Sequence, residues 1–161
     1  MGGSDGIMEG WGDPNERPTT VSLPWFHVPV RGELRVAIVS QNPTRYAGHW
    51  LGGGMRKCAG RSCGYCSRGI GSQWRYVLAI FDPALGGVGC IELGQNAAGD
   101  LQAAAEEMGG LRGLGVRFFR DGEGVRARVR VALCMECQRH PDDVPDAPDI
   151  AAFLRGLWGR Q

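Results

Sequence analysis

The chain has 161 residues, 43% of them hydrophobic, and a formal net charge of +1. That length supports one domain with a real core and some loose ends. No run approaches the ~18 apolar residues of a membrane span, so no membrane partner is expected. Residues 1–20 are polar and Gly-rich and lack the apolar stretch of a secretory signal. A cytoplasmic, reducing setting is therefore expected, in which clustered cysteines serve as metal ligands more often than as disulfides.

Charge is unevenly spread. Residues 31–82 carry eight Arg/Lys against two acids, Glu33 and Asp82. Residues 110–140 carry seven Arg against three acids. Basic blocks of this kind attract polyanions, or simply form a solvated surface.

In chain order, residues 1–20 read as a disordered arm. Val21 to Val30 contains Pro24 and Pro29, which excludes a central strand and leaves Trp25 and Phe26 to pack at the domain edge. Glu33 to Ser40 alternates Leu34, Val36 and Ile38 against Arg35 and Ala37, the period of a first strand. Arg45 to Leu51 predicts a second, and Gln73 to Phe81 a third, with Trp74, Tyr76, Leu78 and Ile80 on one face. Asp82-Pro83 ends it, with Val88 to Leu93 a short extension. Asp100 to Met108 predicts a helix, stopped by Gly109-Gly110. Val116 to Arg120 and Val125 to Leu133 predict a hairpin. Asp149 to Trp158 predicts a short amphipathic helix after a Pro- and Asp-rich stretch. The expected organisation is an arm at 1–20, a domain at 21–140 and a tail at 141–161. Its fold class is mainly β: an OB-fold-like five-stranded barrel, with a helix between strands 3 and 4 and a metal-binding loop between strands 2 and 3.

That loop carries the strongest signal, His49-x8-Cys58-x4-Cys63-x2-Cys66. Zinc takes four N or S ligands in a tetrahedron, and a Cys-x2-Cys pair supplies two thiolates from one tight turn. Four protein ligands leave no open position, so a structural Zn2+ is expected at His49, Cys58, Cys63 and Cys66. A second pair, Cys134-x2-Cys137, is followed by His140. It could join Cys63 and Cys66 and displace His49, bind a second metal, or merely continue the last strand. Cys90 reads as a core residue.

From Trp25 to Leu93 the chain resembles the zinc-containing, single-stranded-DNA-binding, helix-destabilising proteins of T-even-like tailed bacteriophages. The shared order is an aromatic segment, a short strand, a His-containing strand with His49, then Cys58, then Cys63 and Cys66, then an aromatic-rich strand ending in Asp82-Pro83. The resemblance implies an OB-fold, zinc on the His and three Cys, and binding of single-stranded DNA with little sequence preference, in replication or recombination. The basic arm and long acidic tail of that family have no full counterpart here.

Sequence-neutral strand binding needs cations and aromatic platforms. Candidates beside the metal loop are Arg45, Tyr46, Trp50, Arg56, Lys57, Arg61, Arg68, Trp74, Arg75 and Tyr76, with Tyr65 close by. The hairpin adds Arg117, Phe119, Arg126, Arg128 and Arg130. Trp74 and Tyr76 share a face with Leu78 and Ile80, so core packing competes with base stacking for them. An alternative reading is a zinc-stabilised adaptor that meets replication, recombination or transcription proteins through its C-terminal tail. There Phe153, Leu154, Leu157 and Trp158 would dock in a partner or pack back onto the domain. No catalysis is expected. A deaminase would need His-x-Glu and Pro-Cys-x2-Cys, whereas His49 is followed by Trp50 and Leu51, and no proline precedes Cys63.

Overall fold

The computed structural model describes residues 23–158; the predicted arm at 1–20 lies outside them. Eight strands and three α-helices follow one another: β1 (Trp25–Phe26), β2 (Glu33–Ile38), β3 (Thr44–Trp50), β4 (Met55–Lys57), α1 (Gly64–Ser67), β5 (Ser72–Asp82), β6 (Gly87–Leu93), α2 (Gln95–Met108), β7 (Gly115–Asp121), β8 (Arg128–Leu133) and α3 (Ile150–Trp158).

All strands belong to one mixed sheet, ordered β1-β6-β5-β2-β7-β8, with β3 and then β4 branching from β5. β5 is the axis. One edge pairs along its length with β6, whereas the other is shared between β3 near its start and β2 near its end. The only parallel ladder among these strands is β1 on β6. Pro24 ahead of β1 and the brevity of that strand fit an edge position.

The mainly β class agrees with the sequence, but the sheet is not a closed five-stranded barrel. It has eight strands and stays open. The stretch Val88 to Leu93 is a full partner of β5. Asp82 accepts the Ala84 N–H at 2.9 Å and turns the chain into an antiparallel hairpin where a break was expected. The helix consequently falls between the sixth and seventh strands. It packs on β8, β5 and β6.

Apolar side chains alternate across the sheet into two cores. On the α2 side lie Val36, Ile38, Leu78, Ile80, Ile91, Val116 and Phe118, with Ala97 and Leu101 of the helix. On the opposite side, Val39, Val77, Ala79 and Cys90 meet Ile150 and Leu154 of α3. The predicted tail therefore folds back at residues 144–158 and covers the sheet. Asp149 caps α3, its carboxylate accepting the Ala152 N–H at 2.9 Å. Arg112 clasps the approach to α3 by donating to the carbonyls of Val39, Val144 and Pro145. α2 begins at Gln95, earlier than predicted, and ends where Gly109 takes φ +84°, a left-handed conformation suited to glycine.

Candidate metal centre and the surrounding surface

The metal loop is an excursion from β3. β3 delivers His49 to a wholly buried position, paired with Ser72 of β5. β4 returns antiparallel, and the Cys58 N–H bonds the Ala47 carbonyl at 2.8 Å, fixing that cysteine beside the strand. A 3-10 turn at Gly60–Ser62 then leads to Cys63, the N-cap of α1, and one helical turn brings Cys66 back beside it.

His49, Cys58, Cys63 and Cys66 place four ligand atoms within 4.8 Å of one another. The Cys63 and Cys66 Sγ atoms lie 3.4 and 3.5 Å from His49 Nε2, and the Cys58 and Cys66 Sγ atoms are 3.6 Å apart. A tetrahedron with metal–sulfur bonds of about 2.3 Å and a metal–nitrogen bond of about 2.0 Å has S···N edges of about 3.5 Å and S···S edges of about 3.8 Å. The donor set therefore fits one metal ion at its centre. His49 is oriented for that role: its Nδ1–H donates to the Gly71 carbonyl at 3.1 Å, which turns the Nε2 lone pair toward the sulfurs. The backbone N–H groups of Cys66 and Ala59 favour a thiolate at Cys63 and push its pKa down. The hydrogen bond with the neighbouring Cys58 sulfur, followed by burial, pushes the Cys66 thiol up, so without a cation the cluster resists full ionisation.

A metal reverses that resistance by replacing the protons. The sign is set accordingly: binding releases protons, so the bound state is favoured as pH rises and lost as pH falls. Metal occupancy is expected to be complete at neutral pH and to fall on acidification as His49 and the thiolates protonate. An indicator-dye release titration checks this, and release independent of pH would contradict it.

Cys134 and Cys137 do not join this cluster. Among the described residues no other group of three or more His, Cys, Asp or Glu ligands converges. His140 is exposed and its Nδ1 accepts the Asp142 N–H. Cys90 is fully buried in the second core, where burial pushes its thiol up to about 12.

The predicted nucleic-acid contacts separate by face. Strand register puts Arg45, Trp74 and Tyr76 on the α2 side of the sheet, and Tyr46, Trp50 and Arg75 on the α3 side. Trp74 is 42% exposed, with the Arg45 guanidinium 4.4 Å above its ring. Tyr76 is half-buried against the main core. Tyr46 is half-buried too, its hydroxyl donating to Glu92 and its ring meeting Trp158 edge-on at 5.0 Å. Arg75 donates twice to the same Glu92 carboxylate, at 3.0 and 3.1 Å. Trp50, at 58% exposure, is the most open aromatic of the set.

Two of the four predicted hairpin arginines are neutralised by ion pairs. Arg117 pairs with Glu33, and Arg130 with Asp100 and Asp121. The Glu33 carboxyl is held below the usual range by Arg35 and Arg117. Phe119 lies under Arg117 at 4.9 Å, on the face of β7 opposite the core residue Phe118. Around the metal loop the balance differs. Arg45, Arg56, Lys57, Arg61 and Arg68 form no ion pair among the described residues, and neither do Arg126 and Arg128. Lys57 lies 4.8 Å above the Trp158 ring, and Arg68 sits 5.2 Å from that of Tyr65.

A groove of about 930 Å3 runs between the β1–β6 edge and the β7–β8 hairpin, past the first turn of α2. It brings Trp50, Arg75 and Arg128 together, and adds Trp25, Gln95 and Arg120 from outside the predicted set. The sequence signal for Trp25 was its place in a proline-flanked edge segment. Nothing local marked Gln95, because its position depends on where α2 begins. Arg117, Phe119 and Arg130 do not line this groove.

Among the described residues no helix is long and apolar enough to cross a membrane. No protein-family model, curated protein or solved structure matches the chain.

Proposed function

We propose that this protein binds single-stranded nucleic acid, DNA in the first instance, with little sequence preference, and that a structural zinc ion holds one wall of the binding surface. The observation that carries the reading is the groove in which the open Trp50 ring and the partly covered Trp25 ring meet the Glu92-paired Arg75 and Arg128, beside the β3–β4 hairpin; among the described residues Arg128, Arg56 and Lys57 form no ion pair. Rings stack on any base, and cations follow the backbone without reading sequence. Three thiolates and one imidazole, with no open position, are the chemistry of structural zinc. The resemblance to the T-even-like phage helix-destabilising proteins supports the same reading, through the order of His49, Cys58, Cys63 and Cys66. An adaptor role through the tail is less favoured, because Ile150 and Leu154 of α3 are committed to the second core.

A fluorescence titration with oligo-dT tests the proposal. If about three phosphates are neutralised, log K falls with log salt with a slope near −2, from roughly −0.7 per phosphate on single strands. Trp50→Ala is expected to lose about 1–3 kcal/mol of binding, whereas Phe119→Ala, outside the groove, leaves affinity unchanged. Absence of salt-sensitive binding, or an equal loss in both variants, would sink the assignment.

A further inference from the structure

The molecule carries two Cys-x2-Cys pairs, and they differ in geometry. At the metal cluster the closest sulfurs are 3.6 Å apart and a histidine nitrogen stands beside them. At the second pair, Cys134 and Cys137, the sulfurs are 2.9 Å apart and, among the described residues, no further ligand converges on them. Non-bonded carbon atoms sit at about 3.5–4.0 Å, and sulfur is larger. Two thiols at 2.9 Å are therefore closer than packing alone would hold them. They also lack the shell that zinc requires.

The backbone fixes this approach. Cys134 follows β8 in extended conformation, and a single 3-10 turn at Met135–Cys137 brings the second thiol back over the first. The Cys137 N–H bonds the Cys134 carbonyl at 3.1 Å. The Cys134 N–H bonds the Gly115 carbonyl, and the Gly115 N–H bonds Gln138 Oε1. The turn lies directly on Gly115, where a Cβ would overlap the Cys134 carbonyl and the Gln138 N–H. Glycine is required there by close approach. The Arg139 N–H, bonded to the Gly113 carbonyl at 2.9 Å, closes the far side.

We propose that Cys134 and Cys137 form a reversible dithiol–disulfide couple, independent of the metal centre, that exchanges with small anionic disulfides of the glutathione type. One protein sulfur, deprotonated, attacks the small disulfide, and the first small thiolate leaves. The other protein sulfur then attacks the mixed disulfide, which forms the Cys134–Cys137 bond and releases the second thiolate. Two S–H bonds are lost, the two protons end on the released thiols, and two electrons pass to the small disulfide. Arg35, Arg139 and Glu136 are the charged groups around the pair. The two arginines favour a thiolate there, and Arg35 is already tied to Glu136 at 3.3 Å. Burial, followed by the neighbouring Cys134, pushes the Cys137 thiol up to about 12. Met135 and Glu136 between the cysteines are exposed, so the turn itself faces solvent.

The test uses the full, metal-loaded chain, equilibrated in glutathione buffers of varied ratio, acid-quenched, alkylated with N-ethylmaleimide and mapped by mass spectrometry. The expected result is the loss of two hydrogens on the peptide holding Cys134 and Cys137, with metal content unchanged. The oxidised-to-reduced ratio should vary with the inverse square of free thiol, changing about tenfold for each 30 mV as a two-electron couple does. Cys134→Ser/Cys137→Ser should abolish that loss. Three results would overturn the proposal: both cysteines staying alkylatable at every ratio, a first-power dependence reporting only a mixed disulfide, or the same two-hydrogen loss in the double variant. Wild-type mapping decides even if the double variant fails to fold.

Discussion

Stripping the metal with a strong chelator is expected to unfold the segment from Gly52 to Gly71 while the sheet around β5 survives. The reason is local. Neither the 3-10 turn at Gly60–Ser62 nor α1 contributes a buried residue of its own apart from Cys63 at their junction. A four-residue helix has no intrinsic stability in water. Bonds from a metal ion to His49, Cys58, Cys63 and Cys66 would therefore supply most of the ordering energy of the loop. In zinc-finger peptides such binding reaches about 10–16 kcal/mol. Cys63→Ser should reproduce the effect of the chelator, with loss of bound metal by mass spectrometry and new protease cleavage between residues 52 and 71. Hydrogen exchange in β2, β5 and β7 should change little. A loop equally protected with and without chelator would refute the metal assignment.

Phe118→Ala is expected to cost about 3–5 kcal/mol. Phe118 is the largest of the fully buried side chains and sits where β7 faces α2 through the main core. Truncation removes its apolar area and leaves a cavity that β2 and β8, hydrogen-bonded on either side, cannot collapse to fill. For a chain of this size the melting temperature should drop by roughly 6–20 °C. Phe119→Ala removes the same atoms from the opposite, half-exposed face and should shift it far less. Equal shifts in the two variants would contradict the placement of the core.

The contrast between those neighbours shows what was legible in the sequence. Strand β7 breaks its alternation at Phe118-Phe119, but the hairpin face was readable from Val129 and Val131 against Arg128 and Arg130. The convergence of His49, Cys58, Cys63 and Cys66 was readable because their spacing is a local constraint. The second core was less visible. Val77, Ala79 and Phe81 form an apolar row on the back of β5, which a one-sided barrel would not need. Its cover, α3, lies some seventy residues away, and no local pattern states that the helix returns. β6 was underestimated because its glycines dilute the alternation, and its pairing with β5 is set by the turn after Asp82. The early start of α2 was missed because Asn96 and Gly99 are weak helix formers, outweighed here by burial of Ala97. The grouping of Trp50 with Arg128 in one groove rests on those same distant pairings, and spacing alone could not supply it.

The β2–β7 ladder, which joins Glu33 to Phe119, encloses nearly half of the chain between its two strands. The metal hairpin, the β5–β6 hairpin and α2 all lie inside that span. Such a ladder has to close a long loop before its contacts give any return, so it belongs late in folding. A metal ion captured early by His49 and the three cysteines would shorten the free length of that loop. In kinetic terms the ligand cluster is then an accelerator as well as a clamp: refolding from denaturant should be faster with metal present than after its removal, even when judged by probes in β7.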